Sequence, residues 1–316
     1  MSKFLVTGGA GFIGSNIVDE LLKQGHDVRV IDNFMTGRRE NLKDVMEKIE
    51  LVEGDIRDID QMRKATKGIE FVLHQAAFRS VPKSVDNPTL TNDINVNGTL
   101  NVLIAAKEAG VKRLVYASSS SCYGETNKFP ENEEDLPGPI SPYAVSKLTG
   151  EYYCKTFTVT YGLETVSLRY FNVFGPRQNP ESKYSCVIPA FIFRMLKGES
   201  PLIDGDGEQS RDFTFVKNVV DANIKASSFK TGKRGEVFNV ARGEAYSILD
   251  LVNILNELMK KNITPKFGPT RAGDVKRTEA DVSKLKKKLK VIPKISFKDG
   301  LKETLKWFDA NKVELS

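Results

Sequence analysis

Short runs of consecutive apolar residues alternate with longer stretches whose apolar positions recur every three or four residues through the first half of the chain. Such alternation marks strands buried on both faces and joined by amphipathic helices, hence a parallel sheet built from βαβ units. The runs predict strands at 3–8, 27–32, 49–55, 70–76, 112–119 and 164–170. Helical periodicity predicts a long helix within 86–109 and another running from Ser141 and Pro142 to about residue 161. Ser141 suits an N-cap, and Pro142 suits the first turn, where its missing N–H costs nothing. With right-handed crossovers the expected class is α/β, a doubly wound parallel sheet. After residue 172 the rhythm breaks into loops rich in Gly and Pro, such as "NVFGPRQNPES" and "LIDGDGEQSRDF". This predicts a smaller mixed α/β domain, mainly residues 173–316, closing over a ligand. A helix at 217–229 and a strand at 236–241 are expected to rejoin the first domain, residues 1–172.

Composition narrows the function classes. A chain of 316 residues has room for a large core, and 40% apolar with 28% charged residues is ordinary globular material. The net charge of +6 owes much to "VSKLKKKLKVIPK", residues 282–294. That run reads as a solvated face without interleaved aromatics, so nucleic acid is not an expected partner, although a modest positive field favours an anionic small molecule. Cys122, Cys154 and Cys186 are too few and too scattered for a disulfide framework, and His26 and His74 nominate no metal site. No apolar run approaches membrane-spanning length, and "MSKFLVTGG" enters a strand directly. A reducing, cytoplasmic setting without membrane or metal is the expectation.

Two motifs carry candidate chemistry. In "LVTGGAGFIG" the glycines Gly8, Gly11 and Gly14 follow a strand and open a helix. Such a turn lets backbone N–H groups approach a pyrophosphate at a helix N-terminus. The second strand ends in Asp32, whose carboxylate would accept from a ribose 2′-hydroxyl and repel a 2′-phosphate, favouring NAD over NADP. Arg38 and Arg39 raise the competing NADP reading but fall beyond a predicted turn at "MTG". In "SPYAVSKLTGEYY", Tyr143 and Lys147 stand one helical turn apart on one face. A neighbouring cation favours the phenolate, so the pair suits proton transfer. Alone, Y-x-x-x-K is loose and fits an ordinary amphipathic helix.

With "TGGAGFIG", Asp32, "GDIRD" (54–58), "HQAA" (74–77), the serines before "YG" (123–124) and "YAVSK" in order, the chain resembles the extended short-chain dehydrogenases/reductases. "RYFNVFGPRQ" (169–178), "CVIP" (186–189), "GDGEQSRDF" (205–213) and "RAGDVKRTEAD" (271–281) narrow the resemblance to NAD-dependent nucleotide-sugar 4-epimerases, over nearly the whole chain. The resemblance implies a Rossmann-type sheet with tightly held NAD. Cofactor contacts are then expected from Gly8, Gly11, Phe12, Ile13 and Gly14, from Asp32 and Asn33, and from Asp55 and Ile56. Gln75, Ala76, Ala77, Asn95, Tyr143, Lys147 and Tyr170 complete the set. It also implies catalysis by Ser119, Tyr143 and Lys147: Ser119 would hold the sugar 4-hydroxyl, Tyr143 would take its proton, and the C4 hydride would pass to NAD. The 4-keto sugar would turn over and take the hydride back on its other face.

For the substrate, the resemblance implies Asn172 and Arg211 at the diphosphate, Val187 and the "PLIDG" segment with Ile203 at the uracil, and Arg271 with Asp274 at phosphate and ribose. Ser80, Gln178 and Cys186 would line the sugar wall, with Ser120 assisting Ser119. A small residue matching Thr278 implies room for an N-acetyl group, hence UDP-N-acetylglucosamine and UDP-N-acetylgalactosamine, with the plain UDP-hexoses also admitted. Arg79 departs from that pattern and leaves a UDP-hexuronate open. Dehydratase chemistry lacks an acid after Ser119, where Ser120, Ser121 and Cys122 follow. A nucleotide-sugar dehydrogenase and a non-catalytic dinucleotide sensor remain as alternatives. A homodimer is expected through the helices of 86–109 and 143–161, with Leu100, Leu103, Ile104, Leu148, Tyr152 and Phe157 offering apolar contacts.

Overall fold

Seven strands form one parallel sheet whose order places the chain's first strand near its middle. The computed structural model describes residues 1–179, 186–230, 234–270 and 275–311. The strands β1 (Lys3–Thr7), β2 (Asp27–Asp32), β3 (Glu50–Glu53), β4 (Phe71–His74), β5 (Arg113–Ser119) and β6 (Glu164–Tyr170) match the apolar runs to within two residues at each end. The strand Glu236–Val240 pairs parallel with β6, so the late segment does return to the sheet. Helices α1 (Phe12–Lys23) and α8 (Val216–Ser228) cover one face, and α2 (Ile59–Thr66), α5 (Gly98–Glu108) and α6 (Pro142–Tyr161) the other. This is a Rossmann-type doubly wound fold. Short elements complete the chain, including α3 (Val81–Asp86), α4 (Pro88–Asn92), α7 (Val187–Leu196), α9 (Ile248–Met259) and α10 (Phe297–Ala310).

Strand order reverses between β1 and β4, which are neighbours in the sheet. At such a switch point the loops leaving the two strands part and open a crevice at the strands' C-terminal ends. The glycine turn leaves β1 there, and "QAAFRS" leaves β4.

The long helix expected within 86–109 runs from Pro88 to Glu108 and is set off from α3 at Asn87. Pro88 cannot continue α3, and Asn87 caps the restart, its Oδ1 accepting from Leu90 N at 3.0 Å. A π-helical turn, Asp93–Asn97, then joins α4 to α5. Such a turn adds one residue to a helical circuit and commonly marks a functional position; in this chain it buries Asn95. By contrast α6 starts as expected, with Ser141 Oγ accepting from Ala144 N at 3.1 Å and Pro142 in the first turn. Gly162, at φ 76°, closes it in the left-handed conformation.

Candidate functional site

The glycine turn is held too tightly for side chains. Gly8 has φ +67°, and a Cβ on it would fall 2.8 Å from Ala76; one on Gly14 would fall 2.2 Å from the Gly8 carbonyl oxygen. Gly11 N–H donates to Gly8 O at 3.0 Å and begins α1 with no side-chain cap and no acidic residue in the first turn. The first N–H groups, on Phe12 and Ile13, therefore sit at a helix end suited to an anion. Asp32 is buried beneath this turn; its Oδ2 accepts from Ala10 N at 2.9 Å and its Oδ1 from Phe34 N at 2.8 Å. Burial pushes its carboxyl up, and these two amides oppose the shift. Each oxygen keeps a second lone pair for a hydroxyl. Arg38 pairs with Glu40, and Arg39 pairs with Glu53 while lying over the Phe34 ring. Neither charge is left waiting for a 2′-phosphate.

Around the same crevice, Asn33 Nδ2 donates to Asp55 Oδ2 at 2.8 Å, and hydrogen bonds from Arg57 hold the Asp55 carboxyl down at about 2. Ile56 packs into the core beside Gly98. Ala76 N donates to Thr7 Oγ1, whose hydroxyl also meets His74 Nδ1 at 2.7 Å. His74 meets Thr99 through its other nitrogen, and burial holds it down at about 3, so it is a neutral structural group. Ala77 follows in the half-buried loop. Asn95, an expected cofactor residue, spends its amide on the Phe78 backbone at 2.7 and 3.1 Å and on Ser146 Oγ at 3.0 Å. Gln75 and Tyr170 meet directly, Tyr170 Oη donating to Gln75 Oε1 at 3.2 Å, and both meet a residue that the sequence did not nominate: Asn223 of α8 accepts from Gln75 Nε2 at 3.0 Å and donates to Tyr170 Oη at 2.8 Å. No local motif marks Asn223.

The candidate reaction centre lies where α6 crosses the end of β5. Tyr143 lies beside Ser119, whose Oγ accepts from Ser121 Oγ at 2.9 Å. Ser120 begins the 3-10 turn Ser120–Tyr123 that follows. Burial pushes the Tyr143 phenol up to about 12; the Ser119 hydrogen bond and the charge of Arg79 pull against it. Lys147 is buried, with its Nζ 5.9 Å from the centre of the Tyr143 ring and donating to the Ala117 carbonyl at 2.8 Å. Burial lowers its ammonium to about 8. Arg79 is exposed; Ser80, at φ 103°, caps α3.

From the second half, Cys186 is exposed at the start of α7 beside Val187. Asn172 Nδ2 donates to Thr278 Oγ1 at 3.0 Å and to the Asp212 carbonyl at 3.2 Å. Burial pushes the Asp212 carboxyl up to about 7 although three backbone amides donate to it. Arg211 is buried in the short strand Ser210–Asp212 and donates to the Ser210 carbonyl. Ile203 points into the core, leaving its neighbours Leu202 and Asp204 outward. Gln178 is buried, donates to the Val173 carbonyl, and lines a groove with Arg38, Asn41 and Trp307 that holds neither Ser80 nor Cys186. Arg271 and Asp274 lie outside the described residues.

Residues 4–241 match the model of the NAD dependent epimerase/dehydratase family. The chain belongs to that family. A putative UDP-glucose 4-epimerase from Methanocaldococcus jannaschii is 41% identical over 309 residues, 97% of this chain and 98% of that protein. The structure of a UDP-N-acetylglucosamine 4-epimerase from Methanobrevibacter ruminantium, in complex with UDP-N-acetylmuramic acid, superposes with a TM-score of 0.94 at 42% identity, covering 98% of this chain and 99% of that one. A UDP-glucuronic acid 4-epimerase from Bacillus cereus, in complex with UDP-glucuronic acid and NAD, gives 0.89 at 33% identity, covering 98% and 99%. Among the described residues of this family member, no His, Cys, Asp or Glu cluster suits a metal, and no helix is long and apolar enough to cross a membrane.

Proposed function

We propose that this chain is an NAD-dependent UDP-sugar 4-epimerase whose preferred pair is UDP-N-acetylglucosamine and UDP-N-acetylgalactosamine. The observation that carries the reading is Ser119 beside Tyr143, with buried Lys147 one turn on, at the mouth of a crevice floored by the glycine turn. Gly8, Gly11, Phe12 and Ile13 would hold the cofactor's pyrophosphate, and Asp32 with Asn33 its ribose. Bound NAD supplies a reversible hydride acceptor for the sugar C4. Ser119 would orient the 4-hydroxyl while Tyr143 takes and returns its proton. Asn172, with Arg211 from residues 173–316, would grip the nucleotide and leave the hexose free to turn. Arginine suits that task because its planar fork matches phosphate oxygens.

Support for an acetylated sugar comes from Thr278, small and hydrogen-bonded to Asn172 at the sugar side of the proposed grip. One observation favours a second reading, a UDP-hexuronate: Arg79 is exposed and close enough to Tyr143 to act on its phenol, where it would meet a C6 carboxylate. Purified protein, given no NAD, is to be incubated separately with UDP-N-acetylglucosamine, UDP-glucose and UDP-glucuronate while proton NMR follows C4 inversion. The expected result is conversion, fastest for the acetylated sugar. Fastest conversion of UDP-glucuronate would give the choice to Arg79. No conversion in any tube, even with NAD supplied, would point to a dehydrogenase or a sensor.

The proposed setting is a homodimer in the cytoplasm. Leu103 and Phe157 are buried in the core against the sheet, so they are withdrawn from the expected contact face. In their place α6 exposes Val145, Tyr152 and Val159, at 50%, 58% and 68%, spaced seven apart along one stripe. A Tyr152→Asp variant should halve the mass seen by light scattering while keeping the melting temperature; a parent that is already monomeric would refute the dimer.

A further inference from the structure

Three consecutive residues at the end of β5 are each tied to α6. The Ala117 carbonyl accepts from Lys147 Nζ, Ser118 Oγ donates to Glu151 Oε1, and Ser119 lies beside Tyr143. The α6 partners, at 143, 147 and 151, are spaced by four and fall on one face. Two of these ties belong to the proposed reaction centre. The third does not touch it.

That third tie is built with more polar chemistry than holding a helix requires. Glu151 and Arg169 have side chains only 4% exposed and form a two-bond fork, Arg169 Nε to Oε1 at 2.9 Å and Nη2 to Oε2 at 2.8 Å. The guanidinium lies 4.6 Å from the centre of the Tyr123 ring, whose hydroxyl donates to Asn239 Oδ1 at 2.7 Å. The carboxylate is therefore fixed from β6 and from the returning strand before it reaches Ser118. Docking of α6 already has other means: a Cβ on Gly150 would fall 2.2 Å from Tyr116 Oη, so helix and strand touch directly, and Phe157 is in the core. A buried ion pair adds little net stability over apolar packing of the same volume. What the fork does supply is direction, because two parallel bonds fix the plane of the carboxylate.

We infer that Ser118, Glu151 and Arg169 are positioning residues that lock the register of β5 against α6 and so set Ser119 against Tyr143. Without the Ser118 tie, the alignment of Ser119 with the phenol rests on the β5–β6 ladder and on the Ala117–Lys147 bond, neither of which fixes the Ser119 side chain. Loss of alignment at a reacting centre costs turnover more than binding.

The inference rests on the epimerase reading only for its kinetic arm. In Ser118→Ala, kcat should fall about tenfold with KM for the UDP-sugar held within about twofold. Bound NAD and melting temperature should stay at the parent's values. The second arm needs no turnover. In NAD-loaded protein carrying tyrosine labelled with carbon-13 at Cζ, the Tyr143 resonance is the one missing from Tyr143→Phe. Its titration midpoint should rise by about one unit in Ser118→Ala, because the Ser119 hydrogen bond favours the phenolate. An unmoved midpoint overturns the inference, whatever the kinetics. If the parent converts no UDP-sugar, the epimerase reading fails and the midpoint still decides the positioning role.

Discussion

Tyr143→Phe is expected to lower turnover by about a thousandfold, the scale lost when a positioned proton-transfer group is removed. Bound NAD and the melting temperature should not change. The phenyl ring keeps the packing, and the phenol's described partner is Ser119, which retains its bond from Ser121 Oγ. Turnover, cofactor content and stability measured on one preparation separate this outcome from general damage; unchanged turnover would remove Tyr143 from the reaction. The pH profile gives a second view of the same group. Burial pushes the free phenol up to about 12, too high for a base near neutrality, so its charge neighbours govern how much phenolate is present. A cation stabilises the phenolate and lowers the pKa. Arg79→Ala therefore removes a lowering influence and should move the ascending limb of kcat/KM towards higher pH. Lys147 enters differently: burial lowers its ammonium to about 8, and its Nζ donates to the Ala117 carbonyl at 2.8 Å.

The sheet was legible because buried parallel strands are nearly continuous apolar runs with Gly or polar boundaries, and "KFLVTG" or "DVRVID" admits few other readings. The end of α6 was equally plain, since Gly162 takes the left-handed conformation that stops a helix. The π-helical turn at Asp93–Asn97 was not legible: one added residue changes which side chain faces inward without disturbing the polar and apolar proportions. At the site, residues carried on contiguous motifs, Gly8 to Gly14 or Tyr143 and Lys147, could be nominated from spacing. Those joined only by tertiary contact could not. Glu151 and Arg169 are 18 residues apart on a helix and a strand, and Asn223 meets Tyr170 across 53 residues. Whether Leu103 and Phe157 face the sheet or a partner stayed open in the sequence for a related reason. A helix between a sheet and a prospective partner has two apolar stripes, and composition does not say which is which.

Thr278→Tyr should reverse the proposed preference among sugars: kcat/KM for the N-acetylated pair is expected to fall about a hundredfold, and that for UDP-glucose by much less. Thr278 is 9% exposed, and its hydroxyl does two things besides being small. It accepts from Asn172 Nδ2 at 3.0 Å and from Asp212 N at 3.3 Å, so the change to tyrosine removes both bonds as well as filling space. Asn172, itself at φ 34°, would lose one of the two acceptors that orient an amide proposed to face the diphosphate. That loss should weaken every UDP-sugar alike, because all share the nucleotide. Thr278→Val separates the contributions: it keeps the size and shape of threonine and lacks the hydroxyl, so it reports the hydrogen-bond loss alone. The ratio of acetylated to plain kcat/KM should therefore stay near the parent's in Thr278→Val and collapse in Thr278→Tyr. Equal losses for all sugars in Thr278→Tyr would confine residue 278 to supporting Asn172 and leave selection of the sugar to Arg79.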